Sequence, residues 1–463
     1  MSNAALTGVR RLWNAQTFPM RPSSGLPRLW PRAWVTILPM AMILGTEYKL
    51  RQRQLAQSLD GAVDSAVLIE LAVYALVVAY LVLFVMSPPR WQRPTAIQFF
   101  MRGYAVAMFL SVAYSEYPKL GAVRGMQLLV AVMCASAIAS RATRRQILQL
   151  AHAYLVLVTV SVFVGLVYRV PFSINQEDRF NWLYVHSVTA GAMLTLGLVI
   201  GTALLTNRSR LPYGSAHWPR LGYVFCLAVM TGGLIGTETR GAIGAAVAGL
   251  FVVVFLTVPR TERLPLGIVG GLALGLTVAL FWDKILTYLE RGESVKTLST
   301  VSNRTELWSI ALNLVKERPI TGWGLSTSRG IFFDKVGLGG AHNAVINVAV
   351  DGGLVGLALW TSFVVAIAVG IVRLYRHGHR DAPLLAGLLT ALMVNGLTVE
   401  GVGSGIGVSS LWLLLCGAWV GVLQRDLAGS TARTTATRVE LIRDQRAAEP
   451  SSARNMVDEI SRV

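Results

Sequence analysis

Long apolar stretches separated by short polar turns dominate this chain. Twelve stretches fit the pattern, at residues 33–47, 66–86, 97–114, 121–139, 147–168, 184–206, 220–236, 240–258, 264–282, 344–372, 383–399 and 405–423. A helix needs about 20 apolar residues to cross the hydrocarbon of a bilayer, where it satisfies its own backbone hydrogen bonds. The pattern therefore predicts an all-α fold, a polytopic membrane helix bundle of about twelve transmembrane helices. The first stretch departs most from the pattern because it is short and contains Pro39.

Composition excludes a water-soluble fold. Hydrophobic residues make up 54% of the chain and charged residues only 14%, against about 25% charged residues in an ordinary soluble domain. The net charge of +18 would suit a nucleic-acid partner, but the placement of the charges argues against one. The even-numbered turns carry thirteen basic residues beside two acidic ones, whereas the short odd-numbered turns carry seven basic and eight acidic residues.

This charge bias predicts the orientation and the organisation of the chain. Basic turns stay on the cytoplasmic side of a membrane, so we expect both termini to be cytoplasmic and the odd-numbered turns to be external. Residues 1–32 form a basic cytoplasmic segment on anionic membrane lipids. Residues 33–423 form the transmembrane domain, including a long external loop at 283–341. Residues 424–463 form a cytoplasmic tail whose mixed composition favours disorder or a loose helix.

The long external loop contains one predicted amphipathic helix. Asn303-Arg-Thr-Glu306 resembles a helix-capping arrangement, and a periodic apolar run follows it. We expect a helix from Arg304 to about Glu317, ended by Pro319 and Gly322. Its apolar stripe should cover the bundle or lie on the membrane surface. The stripe consists of Leu307, Trp308, Ala311, Leu314 and Val315.

Two arginines stand at the starts of external helices, where the helix dipole favours an acid rather than a cation. Arg304 begins the loop helix beside its apolar stripe, and Arg240 begins a span after Thr237-Glu-Thr239. Guanidinium groups beside exposed helix amides suit phosphate oxygens. The alternative is that each arginine packs its stem while its head reaches water at the interface.

A polar stripe leads into the span near Gly353. Asn343, Asn347 and Asp351 recur every four residues, with His342 on their flank, and a continuous helix would place His342 roughly 16 Å outside the span. A polar stripe facing lipid is costly, so the stripe should face a wet cavity. The alternative is that it hydrogen-bonds to the long loop.

Further candidates lie at the same membrane face. Arg179 and His186 flank the entry to a span, where His186 alone would also suit a satisfied core position. Trp323, between two glycines, suits sugar stacking, although tryptophan is also common at membrane interfaces. The histidines and cysteines show no metal-ligand spacing. We therefore predict no metal site and no cofactor.

Four motifs in order resemble the O-antigen ligase and polymerase-like family. They are Arg179-Phe-Asn-Trp-Leu-Tyr-Val-His186, Thr239-Arg-Gly241, Asn303-Arg-Thr-Glu-Leu-Trp308 with Pro319-Ile-Thr-Gly-Trp-Gly324, and His342-Asn343 with Asp351-Gly-Gly-Leu-Val-Gly356. The resemblance is close over about residues 177–360. The chain departs from the family at Ser187-Val188, where Pro-Asn is frequent, and at Asp351, where Glu is frequent. The chain looks most similar to the exopolysaccharide polymerases of this family.

The resemblance implies a metal-independent glycosyltransferase in the bacterial inner membrane. Its donor would be a glycan on polyprenyl diphosphate, its acceptor a hydroxyl of a glycan or lipid-linked glycan on the periplasmic face, and its partners other polysaccharide export proteins. Arg240 and Arg304 would hold the diphosphate, and His342 would act as general base, with Glu238 in reserve. Substrate-binding candidates are Arg179, His186, Glu238, Trp323, Asn343 and Asp351.

Two alternatives remain open at this stage. The first is a ligase that transfers finished glycan to lipid A core or to protein, which differs from a polymerase only in its acceptor. The second, from another class, is a transporter or flippase. Transporters place broken helices and charges near the bilayer midplane, whereas the charges here gather at the external helix ends.

Overall fold

The computed structural model describes residues 33–48, 64–85, 94–168, 179–206, 219–284, 287, 304–337, 339–403 and 405–448. The predicted segment 1–32 and the residues of the tail beyond 448 lie outside them, as does Asn303. The chain divides into two compact units, Met1–Trp34 and Val35–Val463. All packing described below belongs to the second unit.

The described residues form helices and contain no strand. In chain order the helices are α1 Trp34–Glu47, α2 Ser65–Tyr80, α3 Ala96–Leu110, α4 Pro118–Arg141, α5 Arg144–Val167, α6 Ser187–Thr206, α7 Arg220–Gly236, α8 Arg240–Thr257, α9 Arg260–Leu280, α10 Arg304–Glu317, α11 Thr327–Val336, α12 Ala344–Arg376, α13 Ala382–Gly396 and α14 Val408–Ala448. A π-helical turn, Leu81–Val85, continues α2, and a 3-10 turn, Ser111–Tyr114, continues α3.

Each of the twelve predicted segments corresponds to a helix, which confirms an all-α bundle. Eight of the helices in the described part are long and apolar enough to cross a membrane, while α1, α7 and α13 are shorter apolar helices. The count of twelve spans therefore stays a prediction. Helix α14 continues through residues 424–448, a stretch whose composition favours disorder or a loose helix. That stretch contains five alanines and five arginines, two residue types that favour helix.

Close helix packing brings the centre of the bundle together. Helix α8 packs between α6 and α13. At Gly249 a side chain would come within 2.9 Å of the Gly387 carbonyl and of the Ala391 Cβ atom. Small residues at this crossing allow the two backbones to approach, which is a common way for membrane helices to associate.

The described residues of several odd-numbered turns meet at one end of the bundle, which we call the loop end. Phe180 N–H donates to the Gly236 carbonyl at 2.7 Å, and Arg124 Nη1 donates to the Ile406 carbonyl at 3.2 Å. At the opposite end, which we call the basic end, Arg144 binds both oxygens of Asp381. Among the described residues, the basic turns at Arg144 and Asp381 are therefore at the end of the bundle away from these odd-numbered turns.

The described part of the long loop after α9 contains two helices, which lie on the loop end. Leu307, Ala311 and Leu314 of α10 are buried against Phe332 of α11 and Val350 of α12, so the predicted helix and its apolar stripe are confirmed. Helix α11 is an addition that sequence reasoning missed. It begins after Ser326, whose φ of 66° is left-handed, and its pattern of apolar residues is too short to signal a helix.

Helix α12 is broken at Gly353, where the sequence suggested a continuous helix. Gly353 has φ 57° and ψ −159°, so the Leu354 N–H cannot reach the Val350 carbonyl. Residues 319–324 of the loop fill the gap: Leu354 N donates to Pro319 O at 2.7 Å, and Trp323 N donates to Val350 O at 2.9 Å. Because the loop supplies these partners, the break leaves both backbone groups satisfied in an apolar setting.

Candidate active site

The His342 imidazole and the Glu400 carboxyl group face each other at the loop end. His342 immediately precedes Asn343, the N-cap of α12, whose side chain accepts the Ile346 N–H at 3.2 Å. Glu400 lies in the turn between α13 and α14. The His342 Nδ1 and Glu400 Oε2 atoms are 3.4 Å apart, and the two side chains are 39% and 25% exposed. The pair is therefore accessible to a substrate while each group is held by the other.

The backbone of Gly340 and Ala341, just before His342, passes close to Glu400 and Asn347. Gly340 has φ 152°, and a side chain there would come within 2.8 Å of Glu400 Oε2 and 2.9 Å of Asn347 Nδ2. Asn347 Oδ1 accepts the Ala341 N–H at 3.0 Å. Glycine is thus required where the loop passes over Glu400, and Asn347 fixes the chain one residue before His342.

Arg240 begins α8 beside the same turn. The next residue, Gly241, lies against Thr398, so closely that any side chain at 241 would overlap the Thr398 hydroxyl. On the other side of that turn, Asn343 Nδ2 donates to the Leu397 carbonyl at 3.4 Å. Arg240 and the residue after His342 therefore flank the turn that carries Glu400. The Arg240 Nε and Nη2 atoms are buried.

Arg179 hydrogen-bonds to the turn that precedes α8. Its Nε donates to the Thr237 carbonyl at 2.9 Å, and its Nη2 donates to Thr239 Oγ1 at 3.0 Å. Glu238, between these two threonines, has a left-handed φ of 51°. Arg179 thus fixes the backbone on both sides of Glu238 and, through it, the start of α8.

His186 lies close enough to Arg179 and His342 for both side chains to affect its pKa. Burial first, then the positive charges of Arg179 and His342, lower the pKa of His186 to about 4, so its imidazole is neutral at pH 7. Its Nδ1 accepts the Val188 N–H at 3.1 Å, which places the ring proton on Nε2. His186 is a neutral hydrogen-bonding group in a cationic setting.

Arg304 is placed by its helix alone, since its side chain lies outside the described residues. One turn further along α10, Trp308 Nε1 donates to the Ala341 carbonyl at 3.2 Å. Four residues of helix separate the two Cα atoms by about 6 Å along the axis. The start of α10 therefore stands near the residue that precedes His342.

Two predicted substrate-binding residues, Asp351 and Trp323, hydrogen-bond to backbone groups of the long loop. Asp351 is fully buried, and its two oxygens accept the Ser328 N–H at 2.7 Å and the Ser326 N–H at 3.1 Å. Trp323 Nε1 donates to the Leu314 carbonyl at 2.9 Å, and the Arg318 guanidinium lies 4.0 Å from the centre of the Trp323 rings. Asp351 therefore does not face the wet cavity expected along the polar stripe. Its side chain hydrogen-bonds to the loop instead, which is the alternative that the sequence left open.

Sequence reasoning missed two members of this cluster, Glu400 and Arg329. Arg329 of α11 is within electrostatic range of Arg124 and Glu400: burial and the Arg124 charge lower the pKa of its guanidinium, and the Glu400 charge raises it. The one sequence signal for Glu400 is its position as an acid directly before the glycine-rich run Gly401–Gly407. In the described part of the chain, no three His, Cys, Asp or Glu side chains are grouped to hold a metal ion.

Comparison with known protein families gives one match. No curated protein matches the sequence significantly. A family model described as O-Antigen ligase matches residues 225–361. That range contains Arg240, both loop helices and His342, and it ends within α12. The O-antigen ligase-like resemblance that the motifs predict is thereby confirmed, and this chain carries an O-antigen ligase-type domain in a multi-pass membrane helix bundle.

Proposed function

We propose that the protein is a membrane glycosyltransferase that polymerises lipid-linked oligosaccharide repeat units into a surface or exopolysaccharide. The observation that carries the proposal is the arrangement at the loop end, where His342 and the cationic start of α8 lie on either side of the turn that carries Glu400. This arrangement lies within or next to the region matched by the O-antigen ligase model. The donor would be a polyprenyl diphosphate carrier, and the loop end would face the periplasm.

The arginines would bind the diphosphate of the donor. A departing diphosphate accumulates negative charge, and preorganised guanidinium groups stabilise that charge without rearranging. Arg240 is held at a helix start whose backbone Arg179 fixes. Arg304 would complete the cradle from the start of α10. Neither role requires a metal ion or another cofactor.

His342 would act as the general base. The acceptor hydroxyl oxygen attacks the anomeric carbon of the donor sugar, the bond from that carbon to the diphosphate oxygen breaks, and the hydroxyl proton moves to His342 Nε2. Glu400 faces Nδ1, so it would orient the ring and stabilise the imidazolium that forms. Glu238 stays a reserve candidate for the base. His186, neutral at pH 7, would donate a hydrogen bond from its Nε2–H group to a sugar or phosphate oxygen and keep its proton.

The other predicted substrate residues take different roles in this proposal. Asn343 caps α12 next to the base and would orient His342. Asp351 and Trp323 would hold the loop over the site rather than meet the sugar. Each of these assignments follows from the hydrogen bonds the side chains already make.

The test uses purified protein in lipid nanodiscs with a synthetic polyprenyl-diphosphate-linked repeat unit, followed by mass spectrometry. Glycans lengthened on the carrier would support polymerisation, and product formed only after addition of lipid A core or of protein would support ligation instead. Transport of labelled lipid across vesicles, without any transfer product, would favour a flippase.

Matched variants test the site. His342→Ala should lower kcat by about 100-fold or more. The control is Arg220→Ala, which removes an exposed arginine from the first position of α7 at the basic end and should leave the rate unchanged. Full activity of His342→Ala in correctly folded protein would remove the proposed base.

A further inference from the structure

An elongated groove of about 870 Å³ runs along one side of the bundle between α3 and α12. Its volume is within the range of about 300–1,000 Å³ typical of ligand pockets. Most of its lining is apolar, and residues of α12 beside the opening are exposed on the bundle surface: Leu354 is 57% exposed and Val365 is 53% exposed. The groove therefore opens sideways toward lipid.

The two ends of the groove differ. Helix α12 lines it from Leu354 to Arg373, a distance of about 28 Å at 1.5 Å per residue. Helix α3 and its N-cap contribute only positions 95–97 and 100, so both walls are present only near the basic end. At that end the lining becomes polar and cationic, with Thr95, Arg373 and Gln424.

We propose that this groove binds an anionic phospholipid from the leaflet at the basic end. The phosphate would lie at Arg373, because a guanidinium binds phosphate through two parallel hydrogen bonds. Gln424 would donate to the remaining headgroup oxygens. One acyl chain would extend along the apolar face of α12 toward Leu354, covering side chains that are otherwise exposed.

The position of the cation argues against the glycan carrier as occupant. In the proposed reaction the carrier's diphosphate lies at the loop end, near Arg240 and His342. Arg373 is in the last turn of α12, at the other end of the bundle. A phospholipid could place its phosphate at Arg373 and extend its acyl chain toward the middle of the membrane. A carrier whose diphosphate is bound at the loop end could not place that diphosphate at Arg373.

The test is lipid binding to delipidated protein in detergent, measured by native mass spectrometry with phosphatidylglycerol and phosphatidylcholine. Phosphatidylglycerol should bind at least about fivefold more tightly, and Arg373→Gln should remove about that factor. The matched control is Arg376→Gln, which removes another exposed cation from the same helix turn outside the groove and should keep the preference. Ala366→Trp, which fills the groove, should weaken binding of both lipids.

Three results would overturn the proposal. The first is equal binding of the two phospholipids, and the second is an equal loss of preference in Arg376→Gln and Arg373→Gln. In the third, Arg373→Gln weakens binding of a polyprenyl phosphate but leaves binding of phosphatidylglycerol unchanged. That result would make the groove a carrier site. The thermal midpoint of each variant shows whether it is folded. The test requires no glycan transfer, so it is independent of the proposed enzyme activity.

Discussion

Replacing Glu400 with glutamine tests whether its charge supports proton transfer to His342. The substitution keeps the size of the side chain and removes its charge. At 3.4 Å, the attraction between a carboxylate and an imidazolium is about 5 kcal/mol at an effective dielectric constant of about 20. Because the two side chains are 39% and 25% exposed, solvent screening reduces this to roughly 1–2 kcal/mol. We therefore expect kcat to fall about 5- to 30-fold in Glu400→Gln.

The assay is transfer from a synthetic lipid-linked repeat unit, with kcat and KM measured separately. Glu400 is proposed to act on the transition state rather than on donor binding, so KM should change little. Glu116→Gln is the control, because it removes an exposed acid from another turn at the loop end and should leave kcat unchanged. A Glu400→Gln protein with wild-type kcat would refute the proposal that this carboxylate assists the base.

Four further changes address the arginine site, the loop, the buried histidine and the helix break. Arg240→Ala should lower kcat/KM about 100-fold or more in the transfer assay, and Arg240→Lys should restore only part of it, because lysine keeps the charge and loses the bidentate geometry. Asp351→Ala should lower stability by roughly 2–4 kcal/mol, since two buried N–H groups lose their acceptor, and chemical denaturation measures this. Between pH 6.5 and 4 the thermal midpoint should fall with pH, because the unfolded chain gains a proton at His186 before the folded chain does; His186→Gln should flatten this dependence. Gly353→Ala should abolish monodisperse folded protein on size exclusion, because its Cβ atom would overlap the Ile320 carbonyl, whereas Gly267→Ala, with open space around it, should behave as wild type.

The helices were predictable from sequence because a membrane leaves the backbone few choices. A segment in hydrocarbon must satisfy its hydrogen bonds internally, so hydropathy alone indicates where helices run. Helix α10 was predictable as well, since a capping motif, an amphipathic period and a following proline all agree on Arg304–Glu317. The boundaries of α9 and α14 differ from the prediction because polar helix-forming residues extend both helices beyond their apolar parts.

The pairing of His342 with Glu400 was not predictable from spacing. The two residues lie on opposite sides of α12 and α13 in the sequence, and only the fold brings their side chains together. A single acid in a glycine-rich turn carries little signal. The motif containing His342 was visible because a polar stripe and a known motif coincide there, and nothing comparable surrounds Glu400 or Arg329.

The break in α12 connects the fold to the site. Asp351-Gly-Gly353 resembles a flexible point in a helix, but a glycine pair alone does not say whether a helix bends or stops. In the structure the helix is interrupted at Gly353. The backbone groups that lose their helical partners there hydrogen-bond to residues 319–324 of the loop. Asp351 holds the start of α11 by two further hydrogen bonds. Both loop helices are thus fixed to the half of α12 that begins just after His342, so the loop and this half of the helix form one packed unit.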